Sequence, residues 1–211
     1  DMSGTKALHL EAWAARQGQA FLRLDYSGCG ASGGRFEEGT IRRWAADVRA
    51  VIAAVAPAEE LVLVGSSMGG WIMLHLALQL EGQVRGLVGV AAAPDFVRWG
   101  LALTDADRQA LSRDGVITRP SAYGAAPYRY SAAFIADAEI ACLLDAPIPI
   151  HCPVRRLHGS RDDAVPVAVS LRLADALLSR DVRTVIVKGG DHRLSTASDL
   201  RLLEDMIACV S

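Results

Sequence analysis

An abrupt change of hydrophobic period near residue 65 sets the terms for the fold. Leu61-Val62-Leu63-Val64 is an unbroken apolar run, as a strand buried on both faces presents, and Met68 to Leu80 continues with helical spacing. Between them lies Gly65-Ser66-Ser67-Met68-Gly69, which fits G-x-S-x-G. A strand that turns directly into a helix across such a pentapeptide exposes its central serine on a strained bend, where neighbouring side chains would collide. Gly70 extends that small-residue surface. The pentapeptide alone also suits an ordinary glycine-rich turn, so its weight comes from the strand before it and the helix after it.

The same strand-then-helix alternation recurs along the 211 residues, which is enough chain for one large core and one domain. Strands are expected near Ala20 to Asp25, Leu61 to Gly65, Val84 to Ala91, Val154 to His158 and Val182 to Lys188. Helices are expected near Gly4 to Arg16, Thr40 to Ala56, Met68 to Leu80, Pro166 to Leu178 and Ala197 to Cys209. This is the pattern of an α/β fold: a mostly parallel central sheet with helices on both faces. The 59 residues from Pro94 to Cys152 break the alternation, punctuated by Pro120, Gly124, Pro127, Pro147 and Pro149. They are expected to form a helical cap, 94–152, inserted between core segments 1–93 and 153–211. Six of the twelve aromatics fall there (Phe96, Trp99, Tyr123, Tyr128, Tyr130, Phe134), which suits an apolar lid over a pocket. The plainer reading is an excursion that packs its own small core.

A serine hydroxyl is a poor nucleophile at neutral pH, so Ser67 needs a base, and the base needs an orienting group. Downstream, His158-Gly159-Ser160-Arg161-Asp162-Asp163-Ala164-Val165-Pro166 follows a strand and leads into a helix, placing Asp162 at a strand's carboxyl end. Gly190-Asp191-His192 follows the last strand, 30 residues later, giving the chain order Ser, Asp, His. Ser67 is the expected nucleophile, His192 the base and Asp162 the orienting acid, with Asp163 and Asp191 as alternatives for that acid. The backbone N–H of Met68, first in its helix, is the expected oxyanion donor. His9, His75, His151 and His158 are read as structural, and so is Cys29, where a catalytic thiol would be the sharper alternative.

Twenty-two basic residues against 24 acidic ones give a net charge of −2 without a long run of either sign, so neither a nucleic acid nor a membrane surface is an expected partner. No apolar stretch approaches the roughly 20 residues of a membrane span. Four scattered cysteines, Cys29, Cys142, Cys152 and Cys209, lack paired metal or redox spacing and suit a reducing, cytoplasmic compartment. The expected partner is a small molecule, and no metal or organic cofactor is needed.

On Gly4-Thr5-Lys6-Ala7, Asp25-Tyr26-Ser27-Gly28, Gly65-Ser66-Ser67-Met68-Gly69-Gly70-Trp71, His158-Gly159 with Asp162-Asp163, and Asp191-His192-Arg193, the chain resembles a family. These are the α/β-hydrolase serine hydrolases of the mitochondrial palmitoyl-protein thioesterase and mycophenolic acid acyl-glucuronide esterase group, with its bacterial relatives. The resemblance runs nearly end to end. It implies Ser67, Asp162 and His192 as a triad acting on an acyl ester or thioester through an acyl-enzyme, with Trp71 and Trp99 expected to contact substrate. It also implies sheet strands ahead of Asp1, one of them central between the Ala20 and Leu61 strands, whose loop supplies the second oxyanion donor. Two further readings stay open: a truncated or noncatalytic scaffold that binds acyl ligands, and a C–C hydrolase or aminopeptidase of the same fold. A dehalogenase is disfavoured, because such relatives carry aspartate where Ser67 stands.

Overall fold

The computed structural model describes residues 2–120 and 127–211. Its strands are β1 (Leu61–Ser66), β2 (Val84–Val90), β3 (Val116–Arg119), β4 (Tyr128–Ser131), β5 (Val154–Gly159) and β6 (Val182–Val187). Its helices are α1 (Thr5–Gln17), α2 (Ile41–Val55), α3 (Met68–Gln79), α4 (Phe96–Trp99), α5 (Asp105–Asp114), α6 (Ala132–Ile140), α7 (Val167–Ala176) and α8 (Ala197–Ala208). Four strands pair in the order β1-β2-β5-β6, all parallel. The register aligns Ser66 with Val90, Val90 with Leu157 and Gly159 with Val187, so the carboxyl ends of all four strands finish along one edge.

Alternation along β2 divides the core. Leu87 turns towards α3 and α7 and packs with Leu74, Val154 and Leu173, whereas Val88 and Val90 turn towards α1 and α8 and pack with Trp13, Leu203 and Met206. Helix α3 carries buried residues on nearly every side, including Trp71, Ile72, Met73 and Leu74, because it is covered on its outer side as well. There Ile41, Trp44 and Ala45 of α2 and Phe134 and Ala138 of α6 complete a third cluster.

Between residues 94 and 152 the chain forms α4, α5, the antiparallel β3–β4 hairpin and α6. The hairpin departs from the purely helical expectation. Its strands are four residues each, and Tyr128-Arg129-Tyr130-Ser131 has no apolar run to announce it. Tyr123 and Gly124 lie outside the described residues. Phe96, Tyr130 and Phe134 contact one another with ring centroids 5.3 to 6.0 Å apart. Phe96 meets Trp71 edge-on at 5.7 Å and Phe134 meets Trp44 at 6.1 Å, so these rings join the segment to the helices below. Phe134→Ala is expected to cost about 3 to 5 kcal/mol, the usual toll for emptying a buried phenyl site. Thermal unfolding should show it as a fall in Tm on the order of 10 °C.

One expected strand does not form. Ala20 to Asp25 makes no ladder hydrogen bonds, and Phe21 and Leu22 stay 39% and 43% exposed. Among the described residues the sheet ends at β1, so this apolar run has no neighbour with which to pair. Side chains hold it instead. The Asp25 carboxylate accepts from Met2 N–H at 2.7 Å, and Arg23 binds both Glu11 of α1 and the Met2 carbonyl. Among the described residues no helix is long and apolar enough to cross a membrane.

Candidate active site

Strand β1 ends at Ser66 and α3 begins at Met68, leaving Ser67 alone to make the turn. It does so at φ 53° and ψ −123°, a conformation that costs an L-residue on the order of 1 to 3 kcal/mol. The surrounding backbone enforces it: Ser67 N–H donates to Val90 O at 2.9 Å, while Ser67 O accepts from Gly70 N–H and Ala93 N–H. Gly65 is required by proximity, since a Cβ there would stand 2.5 Å from the Gly69 carbonyl oxygen. The Met68 N–H lies in the first turn of α3, where amides have no acceptor within the helix and the helix dipole is positive.

From the ends of β5 and β6 come two more side chains. His192 lies with Nε2 3.1 Å from Ser67 Oγ and Nδ1 2.8 Å from Asp162 Oδ2. Asp162 Oδ1 accepts from the N–H groups of Ala164 and Val165, which fixes the plane of the carboxylate. The Asp162 side chain is fully enclosed and His192 is buried with 9% of its surface exposed, while Ser67 is part-exposed and so the most open of the three. The two loops meet closely only because residue 159 is glycine. A Cβ at Gly159 would stand 2.3 Å from Gly190 O and 2.5 Å from Asp191 O.

The alternative acids lie elsewhere: Asp163 is exposed, and Asp191 accepts the Leu194 N–H within its own turn. Burial raises the Cys29 thiol above its usual range, which disfavours the thiolate a nucleophile would need. Of the two tryptophans expected at the substrate, Trp71 is fully buried and donates its indole N–H to Ala141 O at 3.1 Å. Trp99 is half-buried and donates to Pro94 O, where the 94–152 segment leaves the sheet. A residue read as structural stands closer to the centre than either: His158 Nε2 is 3.3 Å from Asp162 Oδ2. Its position four residues before Asp162, at a strand end, was the available signal.

Residues 3–120, more than half of the chain, match the family profile described as serine aminopeptidase, S33. The chain belongs to this α/β-hydrolase family. The chain is 41% identical over 204 residues to human palmitoyl-protein thioesterase ABHD10, mitochondrial, covering 96% of this chain and 66% of that protein. For the mouse protein of the same name the identity is 42% over 205 residues, with 96% and 69% covered. The chain thus spans about two thirds of these relatives' length. Among solved structures, an Agrobacterium vitis S4 protein superposes with a TM-score of 0.94 at 39% identity, over 100% of this chain and 84% of that one. Mouse alpha/beta hydrolase domain-containing protein 10 gives 0.88 at 41%, over 100% and 86%. The fold and the family resemblance read from the sequence are borne out. The loop that carries His192 is also braced from the opposite end of the chain. Lys6 of α1 donates to the carbonyl of Arg193, next to His192, and burial there holds the Lys6 ammonium below its usual pKa.

Proposed function

We propose that the chain is a serine esterase or thioesterase acting through an acyl-enzyme. The observation that carries this is the single imidazole bridging Ser67 Oγ and Asp162 Oδ2 at hydrogen-bond distances. His192 Nε2 takes the Ser67 proton as Oγ attacks the acyl carbonyl, and Asp162 stabilises the imidazolium that forms. The carbonyl oxygen becomes an oxyanion beside the Met68 N–H, whose position at the start of α3 favours negative charge. His192 then gives its proton to the departing alkoxide or thiolate. Water, activated by the same imidazole, attacks the acyl-serine and releases the acid.

Segment 94–152 serves in this reading as the lid, with Trp99 at its hinge and its aromatics setting a preference for apolar acyl or aryl groups. A relative named palmitoyl-protein thioesterase supports an acyl substrate. On p-nitrophenyl esters, hexanoyl to decanoyl chains are expected to turn over at least tenfold faster than acetyl, since each buried methylene contributes about 0.8 kcal/mol. Faster cleavage of acetyl or anionic esters would overturn that preference. A fluorophosphonate probe tests the chemistry itself: covalent labelling with ester turnover is expected. The absence of both would sink the enzyme reading in favour of a noncatalytic scaffold.

A further inference from the structure

We propose that His158 is a positioning residue of this centre, the middle of a buried relay that runs Ser170, His158, Asp162, His192, Ser67. The proposal rests on the reading of Ser67, His192 and Asp162 as a triad. His158 is fully buried in β5 and meets three groups: Nδ1 lies 2.8 Å from Ser170 Oγ, and Nε2 lies 2.8 Å from Val165 O and 3.3 Å from Asp162 Oδ2. A carbonyl only accepts, so Nε2 carries the proton, and that N–H also faces the carboxylate. In the neutral ring Nδ1 then holds a lone pair, which receives the Ser170 hydroxyl proton. The Val165 carbonyl therefore sets the direction of every hydrogen in the inner half of the relay.

Asp162 uses Oδ1 for the Ala164 and Val165 amides, which leaves Oδ2 shared between two imidazoles, His192 at 2.8 Å and His158 at 3.3 Å. An enclosed carboxylate stays ionised only through its donors. The His158 N–H draws part of the negative charge away from Oδ2. Without it more charge faces His192, the imidazolium is favoured, and the base is protonated up to a higher pH. The acid limb of kcat/KM should therefore move upward when His158 loses its N–H. The other charged groups around this cluster stay constant in the comparison: Arg156 on the same face of β5, Arg161 and Asp163 of the following loop, Asp175 of α7, Asp191 and Arg193 beside the base, and Lys6 from α1.

The test compares His158→Phe, His158→Gln and Ser170→Ala with the unaltered chain, by p-nitrophenyl octanoate kinetics, by the pH dependence of fluorophosphonate labelling and by thermal melts. His158→Phe is expected to lower kcat about tenfold at similar KM and to raise the acid limb by about half a pH unit. His158→Gln restores an N–H near the Nε2 position and should recover most of both, whatever its Tm. Ser170→Ala weakens the N–H by removing the hydroxyl behind it, so it should move the limb the same way by less. A folded His158→Phe with an unmoved limb, or a His158→Gln as impaired as His158→Phe, would reduce His158 to a packing residue. Should His158→Phe fail to fold, Ser170→Ala decides, and an unshifted limb overturns the relay. Absent labelling of the unaltered chain, or turnover that survives Ser67→Ala, defeats the serine-hydrolase reading instead and takes the relay's catalytic role with it.

Discussion

Ser67→Ala is expected to abolish covalent capture by a fluorophosphonate and to lower kcat by about 10⁴- to 10⁶-fold with KM little changed. The loss is large in the proposed mechanism because, among the described residues, Ser67 carries the hydroxyl at His192 Nε2, and a base without its nucleophile performs at best weak activation of water. Stability should respond differently. The alanine inherits the same positive φ and the same three backbone hydrogen bonds that pin the turn, and it loses one part-exposed contact with His192, a change of about 1 kcal/mol. Melts of the two proteins should thus superpose within a few degrees while their activities separate by orders of magnitude. Labelling that persists in Ser67→Ala would move the nucleophile elsewhere.

Asp162→Asn should be nearly as damaging, about 10⁴-fold in kcat, because the surrounding amides dictate which way the new side chain points. Ala164 N–H and Val165 N–H, at 2.9 and 2.8 Å, outweigh the single His158 N–H at 3.3 Å from Oδ2, so the amide oxygen takes the Oδ1 position and the amide NH₂ replaces Oδ2. That NH₂ confronts His192 Nδ1 and drives the ring to the tautomer whose Nε2 bears hydrogen. Such a ring cannot accept the Ser67 proton. Asp163→Asn and Asp191→Asn serve as controls, expected to stay within a few-fold of the parent, since neither carboxylate reaches His192. A tenfold or smaller effect of Asp162→Asn, measured beside those controls, would assign the orienting role to another group.

Much of this arrangement was legible in the sequence because each part of it is local. The strand run before Gly65, the helical spacing after Met68, and the two loops holding Asp162 and His192 each announce themselves within a dozen residues. What was not legible depends on neighbours. Ala20 to Asp25 has a strand's apolar content, yet a strand exists only when another pairs with it, and the described sheet stops at β1. The β3–β4 hairpin hides for the opposite reason, since its four-residue strands are held by cross-strand pairs of mixed character, such as Val116 with Ser131 and Thr118 with Arg129. Trp71, expected at the substrate from the family resemblance, is buried because α3 is covered on its far side by α2 and α6. His158 looked like a strand residue near a turn, and only the fold of residues 159–162, closed by Asp162 N–H to Gly159 O, carries the carboxylate back over its ring.

The three side chains sit at the ends of β1, β5 and β6, and the bond between Ser67 and His192 joins residues 125 apart in sequence. Helices α1 and α2 can nucleate from contacts a few residues long, but this contact closes a loop that spans more than half the chain, and parallel pairing makes such closure slow. On the serine-hydrolase reading, a nascent or partly refolded chain can therefore hold most of its helix while Ser67 is still inert. Reactivity towards an acylating probe becomes a marker of completed topology, separating finished molecules from compact ones that other signals would count as folded.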